Sequence, residues 1–345
     1  MQIQYLRAVA ALMVVYHHAR DHLLDLTGPL YQFKAGARGV DIFFVISGFI
    51  IYTACKSEPP LEFARRRLLR VAPLYWLALF ALIFVAPLIH IRPEPVKDFL
   101  LSMFFIPFSN PIYNGEYSPF LVPGWTLNYE MFFYLLFFIG MLFKKPALFS
   151  LAVIAALVLV GSRFDVPYPV LRYFTAFEML GFVGGLLLGV AYERFSFRGG
   201  VALLMPIGLL GLALNSVKLF ASWPEVVAFA IMTVAGALGV ERSIPMRPIK
   251  GLKLLGDASY SIYLTHVMVL PAVSRLVHRS PIPASAQDLS LLVLGMAVSA
   301  LVGVGVHLLV EKPLSRFLNR KLRRAQPPTV AGLAEQPAPI RIETG

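Results

Sequence analysis

The 345-residue chain holds a single cysteine, Cys55, so it has no internal disulfide framework, and cysteine usage leaves its redox compartment open. Charge is scarce as well. Asp, Glu, Lys and Arg make up 14% of the residues, against about 25% in an ordinary soluble domain. No phosphate-cradling glycine loop, dinucleotide fingerprint, nucleophile elbow or metal-spaced Cys/His cluster occurs, so neither a metal centre nor cofactor redox chemistry is expected. A secretory leader is missing too. The start, MQIQYLR, has no basic leader, and the first apolar run ends in His-His-Ala-Arg-Asp-His rather than a small-residue cleavage site, which predicts an uncleaved first span.

What is abundant is apolar surface. Hydrophobic residues are 58% of the chain and mean hydropathy is +0.71, the composition of a polytopic membrane protein. Crossing a bilayer core takes about 20 residues. Windows of suitable character fall near 5–22, 39–55, 71–90, 125–143, 147–162, 170–192, 201–217, 224–240, 254–275 and 289–310. The fold class expected is therefore all-α: a bundle of about ten transmembrane helices. Residues 96–108 are apolar but too short to cross, and are expected to form a re-entrant or interfacial helix on the outer side. The integral domain covers 1–324, and the Pro- and Ala-rich segment 325–345 is expected to be a disordered cytoplasmic tail.

Basic residues set the orientation. With the N-terminus inside, segments after even-numbered spans hold Lys56, Arg65, Arg66, Arg67, Arg70, Lys144, Lys145, Arg194, Arg198, Arg242, Arg247, Lys250, Lys253 and the run from Lys312 to Arg324. The other side holds fewer, so both termini are placed in the cytoplasm. The net charge of +12 then means attraction to anionic lipid headgroups, with no support for nucleic-acid binding.

Ionisable groups inside spans are costly and mark pathways or reaction sites. Arg7 and His18 stand eleven residues apart in the first span, about 20° past three full turns and roughly 16 Å along the axis, hence on one side. His17 points about 100° away. Asp41 opens the second span from outside, and Glu130 lies five residues below Trp125 in the fourth, about 7 Å deep. His18, Asp41 and Glu130 thus share a depth. A histidine with a carboxylate partner can deprotonate a hydroxyl. The bland alternatives are a packed or headgroup-facing His18 and an Asp41 that caps its helix.

Arg66 and Arg67 lie four and three residues before Arg70, so the group shares a helix face suited either to phosphate or to orientation and lipid contact. In the ninth span Ser259, Tyr263 and His266 form a polar stripe facing a cavity or a partner helix. Gly181, Gly185 and Gly189 are small-xxx-small steps that predict close helix approach, as does Gly48.

Taken in order, LRAVAALMVVYHH, GVDIFFVISGFII, RRRLLRVAPLYW, GWTLNYEMFFY and GDASYSIYLTH resemble the acyltransferase-3 family of bacterial integral membrane acyltransferases, over residues 2 to about 320. Within it the chain looks most like the exopolysaccharide O-acetyltransferases. The resemblance implies O-acylation, usually acetylation, of an exported polysaccharide or lipid-linked oligosaccharide, with acetyl-CoA or another acyl-CoA as donor substrate and no permanently bound cofactor. It implies the bacterial cytoplasmic membrane as location. It also implies His18, Glu130 and Asp41 as catalytic residues and Arg7, Arg67 and Arg70 as donor-binding residues. Arg38, Ser47, Trp125, Asn128, Tyr260, Tyr263 and His266 are expected to line the substrate cavity. Longer relatives carry an extracytoplasmic esterase-like domain that this sequence lacks, so acceptor selection by such a domain is not expected.

The mechanism that follows has the inner arginines hold the donor's phosphates while its pantetheine arm reaches His18 through the bundle. His18, polarised by Glu130 or Asp41, takes the proton of a sugar hydroxyl. Direct transfer is favoured because no Cys or Ser motif suggests a covalent intermediate, with acyl-histidine as the alternative route. The competing class is a proton-coupled transporter of a small solute or glycan, in which the buried His and Glu relay protons. No internal repeat of the kind common in transporters is evident. The sequence leaves the oligomeric state open.

Overall fold

The computed structural model describes residues 1–89, 95–110, 117–197, 199–216, 223–244 and 247–324, and among these it is all-helical. In chain order the helices are α1 Gln2–Ala19, α2 Pro29–Gln32, α3 Gly39–Cys55, α4 Pro60–Val85, α5 Val96–Met103, α6 Gly124–Leu142, α7 Pro146–Arg163 and α8 Pro169–Tyr173. They continue with α9 Leu180–Arg194, α10 Leu204–Ser216, α11 Trp223–Ser243, α12 Lys250–Asp257, α13 Ser259–His278, α14 Ala284–Val306 and α15 Lys312–Arg324. The expected tail, 325–345, lies outside the described residues.

Each of the ten apolar windows overlaps a helix among the described residues, the 170–192 window being divided between α8 and α9, and seven helices are long and apolar enough to cross a membrane. The other three are α1, α9 and α10, so the count of ten is approximate. α1 carries Gln2, Gln4, Arg7, His17 and His18, while α9 and α10 have 15 and 13 residues. The arginine segment before the third span is not a loop. It is the start of α4, a continuous 26-residue helix with Pro60 in its first turn, where a missing N–H costs nothing, and Pro73 inside, three residues past Arg70. The ninth span is preceded by a break at Ala258, where α12 ends and α13 begins.

Ion pairs and hydrogen bonds tie helix ends into two poles. At one, the N-terminal ammonium meets Glu241 (2.5 Å), Lys56 meets Glu193 (2.5 Å), and the Ile249 N–H donates to Tyr5 (2.7 Å). This joins the starts of α1 and α12 to the ends of α3, α9 and α11, beside the arginines that open α4. At the other pole the Leu24 and Asp25 N–H groups donate to Asp288 (2.7 and 3.0 Å), and Arg275 donates to the Leu88 carbonyl (2.6 Å). The eight-residue α5 lies near the second pole against the far half of α4. There Trp76 Nε1 donates to the Met103 carbonyl at 2.9 Å and Phe80 meets Phe99 edge-on at 5.5 Å. It is too short to cross, as expected for the 96–108 segment.

The bundle closes where side chains are smallest. A methyl group on Gly185 would stand 2.8 Å from the Gly48 Cα, so the backbones of α3 and α9 touch at this pair. Gly181 and Gly189 continue the seam against Phe44 and Tyr52 of α3. The small-residue steps act as packing devices. Aromatic rings fill the space beside the seam: Phe44 and Phe133 both lie 4.6 Å from Phe182.

Candidate active site

The cavity that matters lies within the arginine-bearing half of the bundle and measures about 460 Å³. α1 contributes Arg7, α3 Ser47, α4 Arg67 and Arg70, α6 Thr126, Glu130 and Tyr134, and α13 Ser259, Tyr260 and Tyr263. Asp257, His307, Glu311 and Lys312 complete its polar lining.

Within it, charges of opposite sign are treated differently. Every lining carboxylate has a partner. Glu130 accepts from Ser47 Oγ at 3.2 Å and from the Tyr134 hydroxyl, Asp257 pairs with Lys253 at 3.1 Å, and Glu311 pairs with His307 at 2.7 Å. Among the described residues, none of Arg7, Arg67, Arg70 or Lys312 forms an ion pair with a carboxylate. Arg7 donates only to Gln4 Oε1 at a long 3.4 Å, and Arg67 to Cys55 Sγ at 3.2 Å, with its guanidinium carbon 5.9 Å from the Phe63 ring centre. The Arg67 Nε is buried without a hydrogen-bond partner. A buried donor left unmade costs about 1–3 kcal/mol, more when charged. Cations so placed are able to receive an anionic ligand.

Arg66 does not join them. It turns toward Glu62 (2.7 Å) and Glu58 (3.2 Å) on the exposed side of α4. Arg67 and Arg70, three residues apart, keep the cavity face.

Six of the thirteen sequence candidates lie outside the cavity lining: His18, Asp41, Arg38, Trp125, Asn128 and His266. His18 is half-buried, with Nδ1 3.9 Å from Asp21 Oδ2, so its carboxylate neighbour is Asp21 rather than Glu130 or Asp41. Asp41 is buried and pairs with Arg38 at 3.6 Å. Trp125 packs edge-on against Tyr129 at 5.9 Å and its carbonyl accepts from Tyr173 at 2.6 Å, a framework role. Asn128 is buried, and its Oδ1 has no hydrogen-bond partner.

The depth argument misplaces Glu130 for a physical reason. The turn ahead of α6 is buried, with Phe120 4% and Leu121 0% exposed, so the helix begins already inside the bundle. Glu130 therefore reaches Ser47, which lies six residues, about 9 Å, further along α3 than Asp41.

Between cavity and His18 runs a short aromatic path. Tyr263 lines the cavity and hydrogen-bonds Thr126 (2.8 Å) and the Pro123 carbonyl (3.0 Å). His266 follows one turn on, 5.9 Å from Tyr263 between ring centres, and 5.0 Å from His18. It is completely buried, and neither ring nitrogen has a hydrogen-bond partner. The polar stripe of α13 thus reaches both the cavity and the first-span histidine.

Sequence reasoning missed His307, Glu311, Lys312, Asp257, Thr126 and Tyr134. His307 and Glu311 did carry a signal, a His and a Glu four residues apart before a basic run. The helical irregularity that aims them inward carried none.

The acyltransferase-3 family, described as an acyltransferase domain, matches residues 2–307. The exopolysaccharide production protein ExoZ of Rhizobium meliloti is 35% identical over 317 residues, covering 86% of this chain and 94% of that protein. Acyltransferase MdmB of Streptomyces mycarofaciens is 26% identical across 88% of this chain and 87% of its own length. O-acetyltransferase OatA of Staphylococcus aureus is 24% identical over 90% of this chain, but only 56% of the longer OatA is covered. No solved structure matches. The chain therefore belongs to the acyltransferase-3 family and is a multi-pass membrane acyltransferase.

Proposed function

We propose that this protein moves an acetyl group from cytoplasmic acetyl-CoA to a hydroxyl of an exported polysaccharide or its lipid-linked precursor. It does so in the bacterial cytoplasmic membrane with both ends of the chain inside. The observation that carries the reading is the cavity holding Arg7, Arg67, Arg70 and Lys312 without carboxylate partners. A coenzyme A thioester brings several phosphate charges and a long uncharged arm. Guanidinium forks suit the first, and the apolar part of the cavity wall, with Phe43, Phe44 and Ile50, suits the second. The likeness to ExoZ and OatA supports the acetyl group and the polysaccharide acceptor.

In this reading the phosphates stay at the arginine pole, and the thioester passes Tyr263 toward His266 and His18. His18 takes the proton of the acceptor hydroxyl, oriented by Asp21. The sugar oxygen attacks the thioester carbonyl, the carbon–sulfur bond breaks, and coenzyme A leaves as the thiolate, which takes up the proton held by His18. Glu130 acts from the donor side: it fixes the Ser47 and Tyr134 hydroxyls within the cavity wall. Arg38 and Asp41, paired at the outer mouth of α3, stand where an acceptor would approach. The transporter reading has no comparable support, because membership in an acyltransferase family accounts for the same buried charges.

The test is acetylation of polysaccharide by membranes supplied with labelled acetyl-CoA. Label should enter the glycan only when the protein is present. Exported polysaccharide of unchanged acetyl content in cells lacking the protein would overturn the proposal.

A further inference from the structure

α14 does not run straight into α15. Residues His307–Glu311 form a π-helical turn, a local widening that is frequent at functional sites. The turn places His307, Glu311 and Lys312, the first residue of α15, in the cavity wall. Glu311 is held there: one of its oxygens lies 2.7 Å from His307 Nδ1 and accepts from Ser261 Oγ of α13 at 2.6 Å. It therefore fastens the turn to α13. Lys312 is different. It is exposed where Arg7 and Arg67 are half-buried, and it has no carboxylate partner among the described residues.

Cations from α1, α4 and α15 thus line one cavity, at different depths. Such an arrangement suits a ligand with several separated anionic groups better than a single carboxylate. We propose that Lys312 binds a phosphate of the donor's nucleotide end, with the π turn, pinned by Glu311, as the device that aims it. The inference rests on the acyl-CoA reading above and adds a phosphate contact from α15 to the three arginines. Glu311 is a positioning residue in this arrangement.

The experiment compares binding of acetyl-CoA and of S-acetylpantetheine, which lacks the nucleotide phosphates, to the purified full chain in detergent. Lys312→Ala should lose about ten-fold in acetyl-CoA affinity, as for one charge-assisted contact, with S-acetylpantetheine binding unchanged. Lys312→Arg should bind both ligands as the native chain does. Glu311→Ala, which releases the π turn from Ser261 of α13, should reproduce the Lys312→Ala pattern. Native affinity for acetyl-CoA in Lys312→Ala, or equal weakening of both ligands, would overturn the proposal. A native chain that does not distinguish the two ligands would instead sink the donor reading itself, a different result from the failure of Lys312 alone.

Discussion

Ser47 of α3 donates to Glu130 of α6 at 3.2 Å, and this contact places the membrane-embedded carboxylate among the arginines rather than beside the first-span histidine. Glu130 is therefore expected to influence the donor side of the reaction. Glu130→Gln removes a negative charge from a cavity that takes an anion, so the KM for acetyl-CoA should stay level or fall. Turnover should drop by about ten-fold or more, because the Ser47 and Tyr134 hydroxyls lose a charged acceptor. Steady-state kinetics in proteoliposomes read the two apart, and a raised KM with unchanged turnover would contradict this role.

Arg67→Ala and Arg70→Ala should each weaken acetyl-CoA binding by about 10- to 100-fold, the range of one lost hydrogen bond to a charged group. Arg66→Ala should change it little. Arg66 is tied to Glu58 and Glu62 on the exposed face, and surface pairs contribute about 0–1 kcal/mol. Titration calorimetry on the three variants checks the division, and an Arg66 effect equal to that of Arg67 would contradict the helix faces described.

His266 separates His18 from the cavity wall. His266→Phe fills its space but offers no nitrogen, so acetyl transfer should fall by about 10²-fold or more while donor affinity is kept. Transfer at the native rate in His266→Phe would mean that the buried imidazole is a packing residue.

Gly185→Leu tests the seam. Its side chain has no room beside Gly48, so α3 and α9 must part, at about 1–3 kcal/mol or more. A thermal-shift assay in detergent should show a lower midpoint, and an unchanged midpoint would mean that the helices are not packed at this pair.

The seam was legible because small residues four apart have few other uses in a span, and Gly181, Gly185 and Gly189 all meet α3. Spacing alone grouped Arg66 with Arg67 and Arg70; the family resemblance singled out Arg67 and Arg70, and the structure turns Arg66 away to Glu58 and Glu62. Other features were hidden because they depend on non-local placement. Counting residues from Trp125 could not reveal that the preceding turn is buried, so Glu130 was assigned too shallow a depth and to the wrong partners. Asp21 stands three residues past His18 within the first apolar window, a helical spacing that pointed to the pair and went unread. The π turn at His307 has no composition of its own, and four residues that line the cavity wall from Asp257 to Lys312 went unread with it.

The account rests on His18 acting as the base that accepts the acceptor's proton, and one measurement addresses it directly. Purified His18→Ala protein in proteoliposomes should bind acetyl-CoA as the native protein does, yet transfer no label to polysaccharide fragments above the protein-free rate. Transfer at the native rate by that variant would contradict the account.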